Sequence, residues 1–530
     1  MVFTGGPAPA LPPTFWGQIE ETAARLPEYV LMEDEHGRSL TTTGFRDQCA
    51  RVAAGLLAAG VAPGTVVSWM LPTSIDTLVV MGALSRLGVV QNPIITMLRD
   101  REVRYITNEA HTDLFLHRSE FRGTDFTALV TPIAEEFGFR TMVVDTLPTG
   151  DPATLPPPPT EEDAGNARRF LYYTSGSTAD PKGVWHSERS AMAGGNAFVA
   201  AMRPDGSDVY PIVFPVAHIG GLGMTTAALR GPYRQIIVEA WDPQRTPLLA
   251  ADRGATLLGT ALPFFRAFMD AQLAHGDEPL YPALRACVSG GAPKPDGLHE
   301  EVKEVLGGVG VLGGWGLTEF PGATSAGPYD PEEMMAVTEG KLGPGAEMKV
   351  VAGDGRECGE LEEGELRLRG PQQFLGYANS ALDADAFDDE GWVRTGDLGV
   401  VQDGSLYVTG REKDLVIKAG RKFHPYEIER IVAEVVDAPP GGVAAFSQDN
   451  DATGTEDLVI VIERRRGHDA GEDPTREVRG RLMEELGVRA DRVCVVAAGE
   501  LPRTTSGKVR RRACAALFAP PPTAAAVEGP

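Results

Sequence analysis

Hydrophobic positions in the first part of the chain alternate between helical and strand-like spacing. Apolar side chains recur at helical intervals over residues 50–59, and residues 64–71 have the pattern of a short strand. A longer apolar run over residues 76–93 indicates a buried helix followed by a strand. Alternation of this kind predicts a largely parallel α/β sheet over residues 15–145, and a second such region extends over residues 169–314.

Further along the chain the pattern changes to short strands separated by turns, as in residues 364–370. This predicts a small β-rich subdomain over residues 340–410. After residue 414 helical and strand patterns mix again, which predicts a separate α+β domain of roughly 100 residues. Its predicted elements are helices at 425–436 and 475–486 and strands at 457–462 and 492–497.

Two segments are too rich in proline for regular structure. Residues 152–159 contain four consecutive prolines and predict a linker or an exposed loop. Residues 519–530 are rich in proline and alanine, and we expect them to be disordered.

Composition excludes several classes of function. The 530 residues carry a net charge of −25, so binding of nucleic acid or an anionic membrane through overall charge is not expected. The five cysteines form no C-x-x-C pair, which excludes a disulfide framework or a zinc site and fits reduced thiols in a cytoplasmic protein. The N-terminus lacks the features of a signal peptide, and the run 76–93 contains Arg86 and is too short for a transmembrane segment.

The segment with the most chemical information is Y-Y-T-S-G-S-T-A-D-P-K-G at residues 172–183. Its hydroxyls and backbone N–H groups can surround phosphate oxygens, and its glycines permit close approach of a ligand. It differs from a Walker A loop, because Lys182 precedes Gly183 and no Ser or Thr follows the lysine. The segment taken alone could also be an ordinary Ser/Gly turn. The candidate phosphate ligands are Thr174, Ser175, Gly176, Ser177, Thr178 and Lys182.

Six further segments follow in a fixed order. They are F-P-V-A-H (214–218), S-G-G-A-P (289–293), G-W-G-L-T-E (314–319), G-W-V-R-T-G-D (391–397), G-R-E-K-D (410–414) and L-P-R-T-T-S-G-K (501–508). Together with the phosphate loop they resemble the adenylate-forming superfamily, which includes acyl- and aryl-CoA synthetases, peptide-synthetase adenylation domains and luciferases. The resemblance extends over residues 15–518.

This resemblance implies an α/β fold with two parts. A large N-terminal AMP-binding domain, residues 1–413, would contain two doubly wound α/β subdomains and a small β-barrel-like subdomain. A small mobile α+β domain, residues 414–518, would follow it. The implied reaction has two steps: a carboxylate attacks the α-phosphate of Mg·ATP to give an acyl-adenylate and pyrophosphate, and a thiol then displaces AMP.

The resemblance also implies roles for single residues. Lys508 would bridge the carboxylate and the phosphate during adenylation, and Glu319 beside Thr318 would bind Mg²⁺, which usually takes one or two carboxylates. Asp397 and Arg411 would contact the ribose hydroxyls. Trp315 would stack on adenine, although a core tryptophan is the alternative. The backbone of Gly291 and Ala292 would face the adenine edge.

Two further roles concern the second step. Asp414 lies at the position of the family's hinge, and rotation there would bring the loop of Lys418 and Gly420 to the CoA thiol. The chain departs from the common pattern at Ala179 and Ala419, where relatives often have glycine.

Four functions are compatible with these motifs. They are an acid–CoA ligase, an adenylation enzyme that loads a carrier protein, a luciferase-like oxygenase, and a binding protein without catalysis. Residues 214–221 contain no acid to pair with an amino acid's ammonium, and no carrier domain follows Lys508, so free CoA is favoured. The expected partners are a carboxylic acid, ATP and CoA, and a homodimer stays open.

The sequence gives less information about which carboxylic acid is the substrate. His218 resembles the histidine that flanks the substrate carboxylate in many relatives, although a lone histidine in an apolar segment is often structural. Gly220, Gly221 and Gly316 suggest a pocket with room for more than acetate. Residues 90–106 resemble a subgroup that includes cyclohexanecarboxylate– and medium-chain acid–CoA ligases. We therefore expect a medium-chain or alicyclic acid, with benzoate-type and long-chain acids left open.

Overall fold

The computed structural model describes residues 1–159, 165–174, 181–291, 294–295, 297–418, 421–439, 441–450, 455–465, 473–503 and 509–518. The strands are β1 (Val2–Thr4), β2 (Val30–Asp34), β3 (Ser39–Thr41), β4 (Val66–Met70), β5 (Val90–Pro93), β6 (Leu114–His117), β7 (Glu120–Phe121), β8 (Thr124–Asp125), β9 (Arg140–Val143), β10 (Phe170–Tyr173), β11 (Gly183–His186), β12 (Val209–Ile212), β13 (Arg234–Ile237), β14 (Leu257–Thr260), β15 (Ala286–Ser289), β16 (Val311–Leu312), β17 (Thr324–Ser325), β18 (Lys341–Leu342), β19 (Glu347–Val351), β20 (Gly364–Arg369), β21 (Val393–Gln402), β22 (Ser405–Arg411), β23 (Val416–Lys418), β24 (Arg421–Phe423), β25 (Val443–Asn450), β26 (Thr455–Glu463) and β27 (Arg492–Val496).

The helices are α1 (Phe15–Arg25), α2 (Thr42–Ala58), α3 (Ile75–Leu87), α4 (Asp100–Glu109), α5 (Phe126–Phe137), α6 (Glu188–Ala193), α7 (Asn196–Met202), α8 (Ile219–Ala227), α9 (Thr246–Asp252), α10 (Leu262–His275), α11 (Leu298–Leu306), α12 (Glu332–Val337), α13 (Asp383–Ala386), α14 (Pro425–Ala433), α15 (Thr475–Leu486) and α16 (Arg511–Leu517). None of the helices in the described ranges is long and apolar enough to cross a membrane.

Contacts divide the chain into two compact units. The first contains the described residues up to Thr395 together with Val400–Tyr407, and the second contains Gly396–Gly399 and the described residues from Val408 onward. The predicted tail, residues 519–530, lies outside the described residues.

The first unit contains the predicted parallel sheets. A six-stranded sheet has the order β11-β10-β5-β4-β6-β9, in which every neighbouring pair is parallel except β10–β11. A second sheet has the order β12-β13-β2-β3, and a third has the order β14-β15-β16 with all strands parallel. The alternating pattern of the sequence therefore gives the α/β fold that it predicts.

Helix α3 is buried on nearly all sides, which accounts for its largely apolar sequence. All of its residues except Asp76 are buried, and it contacts α1, α2, β2 and β5. Ser74 caps its N-terminus by accepting a hydrogen bond from the Thr77 amide, and Gly88 ends it in the left-handed conformation. The predicted buried helix followed by a strand is confirmed in α3 and β5.

The β-rich region forms a seven-stranded sheet of order β1-β19-β20-β21-β22-β18-β17. Its pairs β1–β19, β19–β20, β17–β18 and β18–β22 are antiparallel. The sheet includes most of the strands expected in residues 340–410, and it also recruits β1 from the N-terminus.

The second unit is an α+β arrangement with its own core. Antiparallel β25 and β26 pair with β27 parallel to β26, and α14 and α15 pack beside them. Helix α15 has the predicted bounds, 475–486, while α14 ends three residues before the predicted 436. All five cysteines are free thiols.

Candidate active site

The phosphate loop of the sequence connects β10 and β11, and β11 is the edge strand of the six-stranded sheet. Tyr173 pairs with Gly183, the amide of Thr174 donates to the carbonyl of Lys182 at 3.0 Å, and the amide of Lys182 donates to Thr174 Oγ1 at 3.3 Å. Thr174 and Lys182 therefore close the base of the loop. Four predicted phosphate ligands lie outside the described residues: Ser175, Gly176, Ser177 and Thr178.

Two glycine-rich loops start at the carboxyl edge of the three-stranded sheet. Because β14, β15 and β16 are parallel, the segments that follow β15 and β16 lie at one edge. The amide of Gly290 donates to the carbonyl of Thr260 at 3.2 Å, and Gly291 has a φ of +81°, which favours glycine. Ala292 lies outside the described residues.

Trp315 lies in the loop after β16. Its amide donates to Thr324 Oγ1 at 3.2 Å, and its carbonyl accepts from the Thr324 amide at 3.1 Å. Its side chain is half-buried, in contrast to the buried core tryptophans Trp16, Trp69 and Trp392. The contact with adenine stays a prediction.

Glu319 is held by a loop that the sequence did not indicate. The hydroxyl of Tyr377 donates to Glu319 Oε1 at 2.7 Å, and the amide of Phe374 donates to the Glu319 carbonyl at 3.0 Å. Burial, and then the Glu319 charge, raises the pKa of Tyr377 far above its usual range, so the phenol stays protonated as a donor. The Lys182 ammonium lies 5.1 Å from the centre of the same ring.

Thr318 is positioned by a buried histidine that the sequence also did not indicate. His186 contacts Ser190 Oγ through Nδ1 at 2.9 Å and the Thr318 carbonyl through Nε2 at 2.8 Å. Burial lowers the pKa of His186 to about 4, so the imidazole is neutral near pH 7. A carbonyl can only accept, so Nε2 carries the proton and Nδ1 accepts from the Ser190 hydroxyl.

A cleft in the first unit brings Thr318 together with His218. His218 precedes α8, and its Nδ1 accepts a hydrogen bond from the Gly220 amide at 3.1 Å. Because Nδ1 accepts, the ring proton lies on Nε2, which makes Nε2 a donor. The residues that line the cleft are Pro93, Ile95, Leu98, Ile106, Tyr172, Tyr173, Ala217, His218, Ile219 and Thr318.

Three glycines expected to give the pocket room do not line this cleft. A Cβ on Gly221 would lie 2.2 Å from the carbonyl oxygen of Pro215, and a Cβ on Gly316 would lie 2.5 Å from the amide of Gly322. A Cβ on Gly220 would lie 3.2 Å from His218 Nδ1. Close backbone packing therefore accounts for glycine at 221 and 316, and Gly220 leaves space for the histidine ring.

The second unit contains the remaining predicted residues. Arg411 Nε donates to Asp397 Oδ1 at 2.7 Å, and Asp397 is buried while Arg411 is half exposed, so the arginine orients the carboxylate. Asp414 ends a single 3₁₀ turn, with its Oδ2 3.5 Å from Arg511 Nη1. Gly420 and Lys508 lie outside the described residues.

Lys418 has contacts within the second unit. Its ammonium donates to the Glu456 carbonyl at 2.8 Å and lies 2.6 Å from Asp491 Oδ2. These contacts hold β23 against β26 and β27, which is a structural role. A role on the CoA side stays a prediction.

The residues near Glu319 suit a metal that arrives with a nucleotide. Among the described residues, no three His, Cys, Asp or Glu side chains are grouped so that they could hold a metal by themselves. Mg²⁺ commonly takes one or two carboxylates together with substrate phosphates. One oriented carboxylate beside the phosphate-loop lysine fits this requirement.

Comparison with known proteins identifies relatives of this chain and proteins with the same fold. A sulfoacetate–CoA ligase from Cupriavidus necator is 30% identical over 93% of this chain and 96% of its own length. A medium-chain fatty-acid–CoA ligase from Escherichia coli is 25% identical over 93% of this chain and 88% of its own. ATP-bound MatB from Rhodopseudomonas palustris has the same fold, with a TM-score of 0.83 at 23% identity over 96% of this chain and 99% of its own.

The profile of the AMP-binding enzyme family matches residues 19–378, which include the phosphate loop, the cleft and Glu319. The resemblance to adenylate-forming enzymes is thereby confirmed, and the chain belongs to the AMP-binding enzyme family.

Proposed function

We propose that this enzyme is an ATP-dependent acid–CoA ligase whose substrate is a medium-chain or alicyclic carboxylic acid. In the first step a carboxylate oxygen attacks the α-phosphorus of ATP, and the bond to pyrophosphate breaks. In the second step the CoA thiol attacks the acyl carbonyl and AMP leaves. The proposal includes a boundary between two domains at residues 413 and 414, with Asp414 as the hinge.

One observation carries the proposal: His218 and Thr318 line a cleft whose other lining residues are mostly apolar. His218 Nε2–H and Thr318 are suited to a carboxylate. Tyr172 and Tyr173 belong to β10, the strand that leads into the phosphate loop, so an acid held here lies beside the nucleotide loop. Ile95, Leu98 and other side chains offer an apolar surface to the rest of the acid.

The composition of the cleft also favours one class of acid. Its lining residues within the described part of the chain include no Lys, Arg, Asp or Glu. A second anionic group, such as a sulfonate, would lose water there without gaining a cationic partner. We therefore propose an acid with an uncharged tail, which differs from the substrate in the name of the Cupriavidus necator relative.

The other residues take supporting roles in this proposal. Lys182 and Glu319 would contact the phosphates and Mg²⁺, and Trp315 would stack on adenine. Asp397 would accept hydrogen bonds from the ribose diol, and Lys508 would bridge the reacting anions. Mg²⁺ supplies neutralisation of phosphate charge when it is bound with ATP.

The test is release of pyrophosphate with and without CoA, across acids of matched concentration. Hexanoate, octanoate and cyclohexanecarboxylate should give release and acyl-CoA, while sulfoacetate and acetate should give little. His218→Ala should raise KM for the acid and leave KM for ATP nearly unchanged, with Ile219→Val as a conservative neighbouring control. Release of pyrophosphate without any acyl-CoA would favour loading of a carrier protein. Preference for sulfoacetate would contradict the proposed acid class.

A further inference from the structure

The side chain of Tyr377 contacts two residues that the proposed function assigns to the phosphates and the metal. Its hydroxyl donates to Glu319 Oε1 at 2.7 Å, and its ring lies under the Lys182 ammonium at 5.1 Å. Neither motif that supplies these residues includes Tyr377, which lies 58 residues beyond Glu319.

The backbone around Tyr377 is fixed by the strand that leaves the phosphate loop. The amide of Ala378 donates to the Gly183 carbonyl at 2.8 Å, and the amide of Trp185 donates to the Gly376 carbonyl at 3.0 Å. The Tyr377 amide itself donates to Asp383 Oδ1 at 2.8 Å. The ring also packs edge-on against Phe374, with centroids 5.0 Å apart. Tyr377 thus has little freedom to move.

The same short segment holds Glu319 by its main chain as well as its side chain. The Phe374 amide donates to the Glu319 carbonyl at 3.0 Å, three residues before Tyr377 donates to the carboxylate. A carboxylate has about four lone-pair positions on two oxygens. One hydrogen bond to Oε1 therefore orients the group and leaves capacity for a metal.

We propose that Tyr377 is a positioning residue that holds Glu319 and Lys182 in place for Mg·ATP. Its hydroxyl fixes the direction of the carboxylate, and its ring face holds the ammonium through a cation–π contact. Tyr377, a neutral side chain, contacts both the carboxylate and the ammonium. Both charged groups are thereby held in place before the nucleotide binds. Preorganised charges of this kind need little rearrangement on binding. The inference rests on the proposed function of Glu319 and Lys182.

The decisive variant is Tyr377→Phe, because it removes the hydroxyl and keeps the ring. ATP affinity is measured by calorimetry without any acid, once with MgCl₂ and once with EDTA. The gain in affinity due to Mg²⁺ should fall about tenfold, as expected for loss of a hydrogen bond to a charged group. Affinity in EDTA should be unchanged, because the ring still contacts Lys182. Tyr377→Leu removes the ring as well and should also weaken binding in EDTA.

A matched control is Tyr281→Phe. Tyr281 is also buried, and its hydroxyl donates to the Pro247 carbonyl at 3.1 Å in the helical layer beside β14. It should lose a similar amount of thermal stability and keep the full effect of Mg²⁺. If Tyr377→Phe keeps the wild-type Mg²⁺ effect, or loses affinity equally in EDTA, Tyr377 has no positioning role. If the wild-type enzyme itself shows no Mg²⁺ effect, the assignment of Glu319 fails and this inference with it.

Discussion

Replacement of His186 separates the effect of a hydrogen bond at the site from the effect of packing. The imidazole joins Ser190 through Nδ1 and the Thr318 carbonyl through Nε2, at 2.9 and 2.8 Å. Glutamine places its amide nitrogen near the position of Nε2, and asparagine reaches only the position of Nδ1. His186→Gln therefore keeps the contact with Thr318, while His186→Asn keeps the contact with Ser190.

The expected loss in free energy of unfolding follows from these two hydrogen bonds. Each hydrogen bond contributes about 1 kcal/mol net, and a buried acceptor left without a donor costs about 1–3 kcal/mol. Both variants should therefore lose about 1–2 kcal/mol in free energy of unfolding. Only His186→Asn leaves the Thr318 carbonyl without its donor, so its adenylation rate should fall about tenfold, which corresponds to about 1.4 kcal/mol.

The assay is acid-dependent exchange of labelled pyrophosphate into ATP, measured beside denaturant unfolding. The result expected is equal stability in the two variants and unequal exchange, with His186→Gln close to wild type. Equal losses of exchange in both variants would refute a specific role of the contact with Thr318. They would show that His186 acts only through packing.

The pH dependence of stability gives a second check on the same residue. The unfolded state takes up a proton at His186 near its ordinary pKa of about 6.5, whereas the folded state resists protonation until about pH 4. The titration of His186 therefore leaves the free energy of unfolding unchanged above about pH 6.5 and lowers it by about 3 kcal/mol as the pH drops to about 4. Glutamine does not titrate, so the advantage of wild type over His186→Gln near pH 7 should pass through zero and reverse as the pH drops to about 4.

Three further predictions concern other parts of the first unit. Burial outweighs the hydrogen bonds from the Phe15 amide and Ser85 and raises the pKa of Glu188. Ionisation of Glu188 as the pH rises therefore lowers the free energy of unfolding. Glu188→Gln should unfold at higher temperature than wild type near pH 7 and lose this advantage near pH 4. A Cβ on Gly82 would lie 2.6 Å from Cys49 Sγ, so Gly82→Ala should cost about 1–3 kcal/mol in denaturant unfolding, and adding Cys49→Ala should restore most of it. Ile106 lines the cleft, so Ile106→Trp should raise KM for octanoate in the coupled assay at least tenfold with KM for ATP unchanged; an equal change in both would place the acid elsewhere.

Periodic patterns predicted the elements well because burial of regular structure leaves a regular trace. The apolar run that became α3 and β5 is one case, and the helix at 475–486 is another. The apolar spacing noted over residues 50–59 covers only the second half of α2, because residues 42–49 are polar or small apart from Phe45. The phosphate loop was singled out by its glycines and hydroxyls, and the loop after β16 by the resemblance to adenylate-forming enzymes.

The residues that support the site could not be predicted in the same way. His186 reaches Thr318 across 132 residues, and Tyr377 reaches Glu319 across 58, so each contact depends on how strands pack and not on local spacing. Gly221 and Gly316 were interpreted as space for the acid, whereas a Cβ on Gly221 would meet the backbone of the segment before α8 and a Cβ on Gly316 would meet the backbone of its own loop. A glycine in a sequence shows where a side chain is absent, but not what occupies the space.

The central claim is that this member of the AMP-binding family joins an acid with an uncharged tail to CoA at the expense of ATP. The most direct measurement is quantification of all products after incubation with octanoate or cyclohexanecarboxylate, Mg·ATP and CoA. We predict acyl-CoA, AMP and pyrophosphate in equal amounts, each dependent on the acid. Formation of ADP and phosphate, or AMP without acyl-CoA, would contradict it.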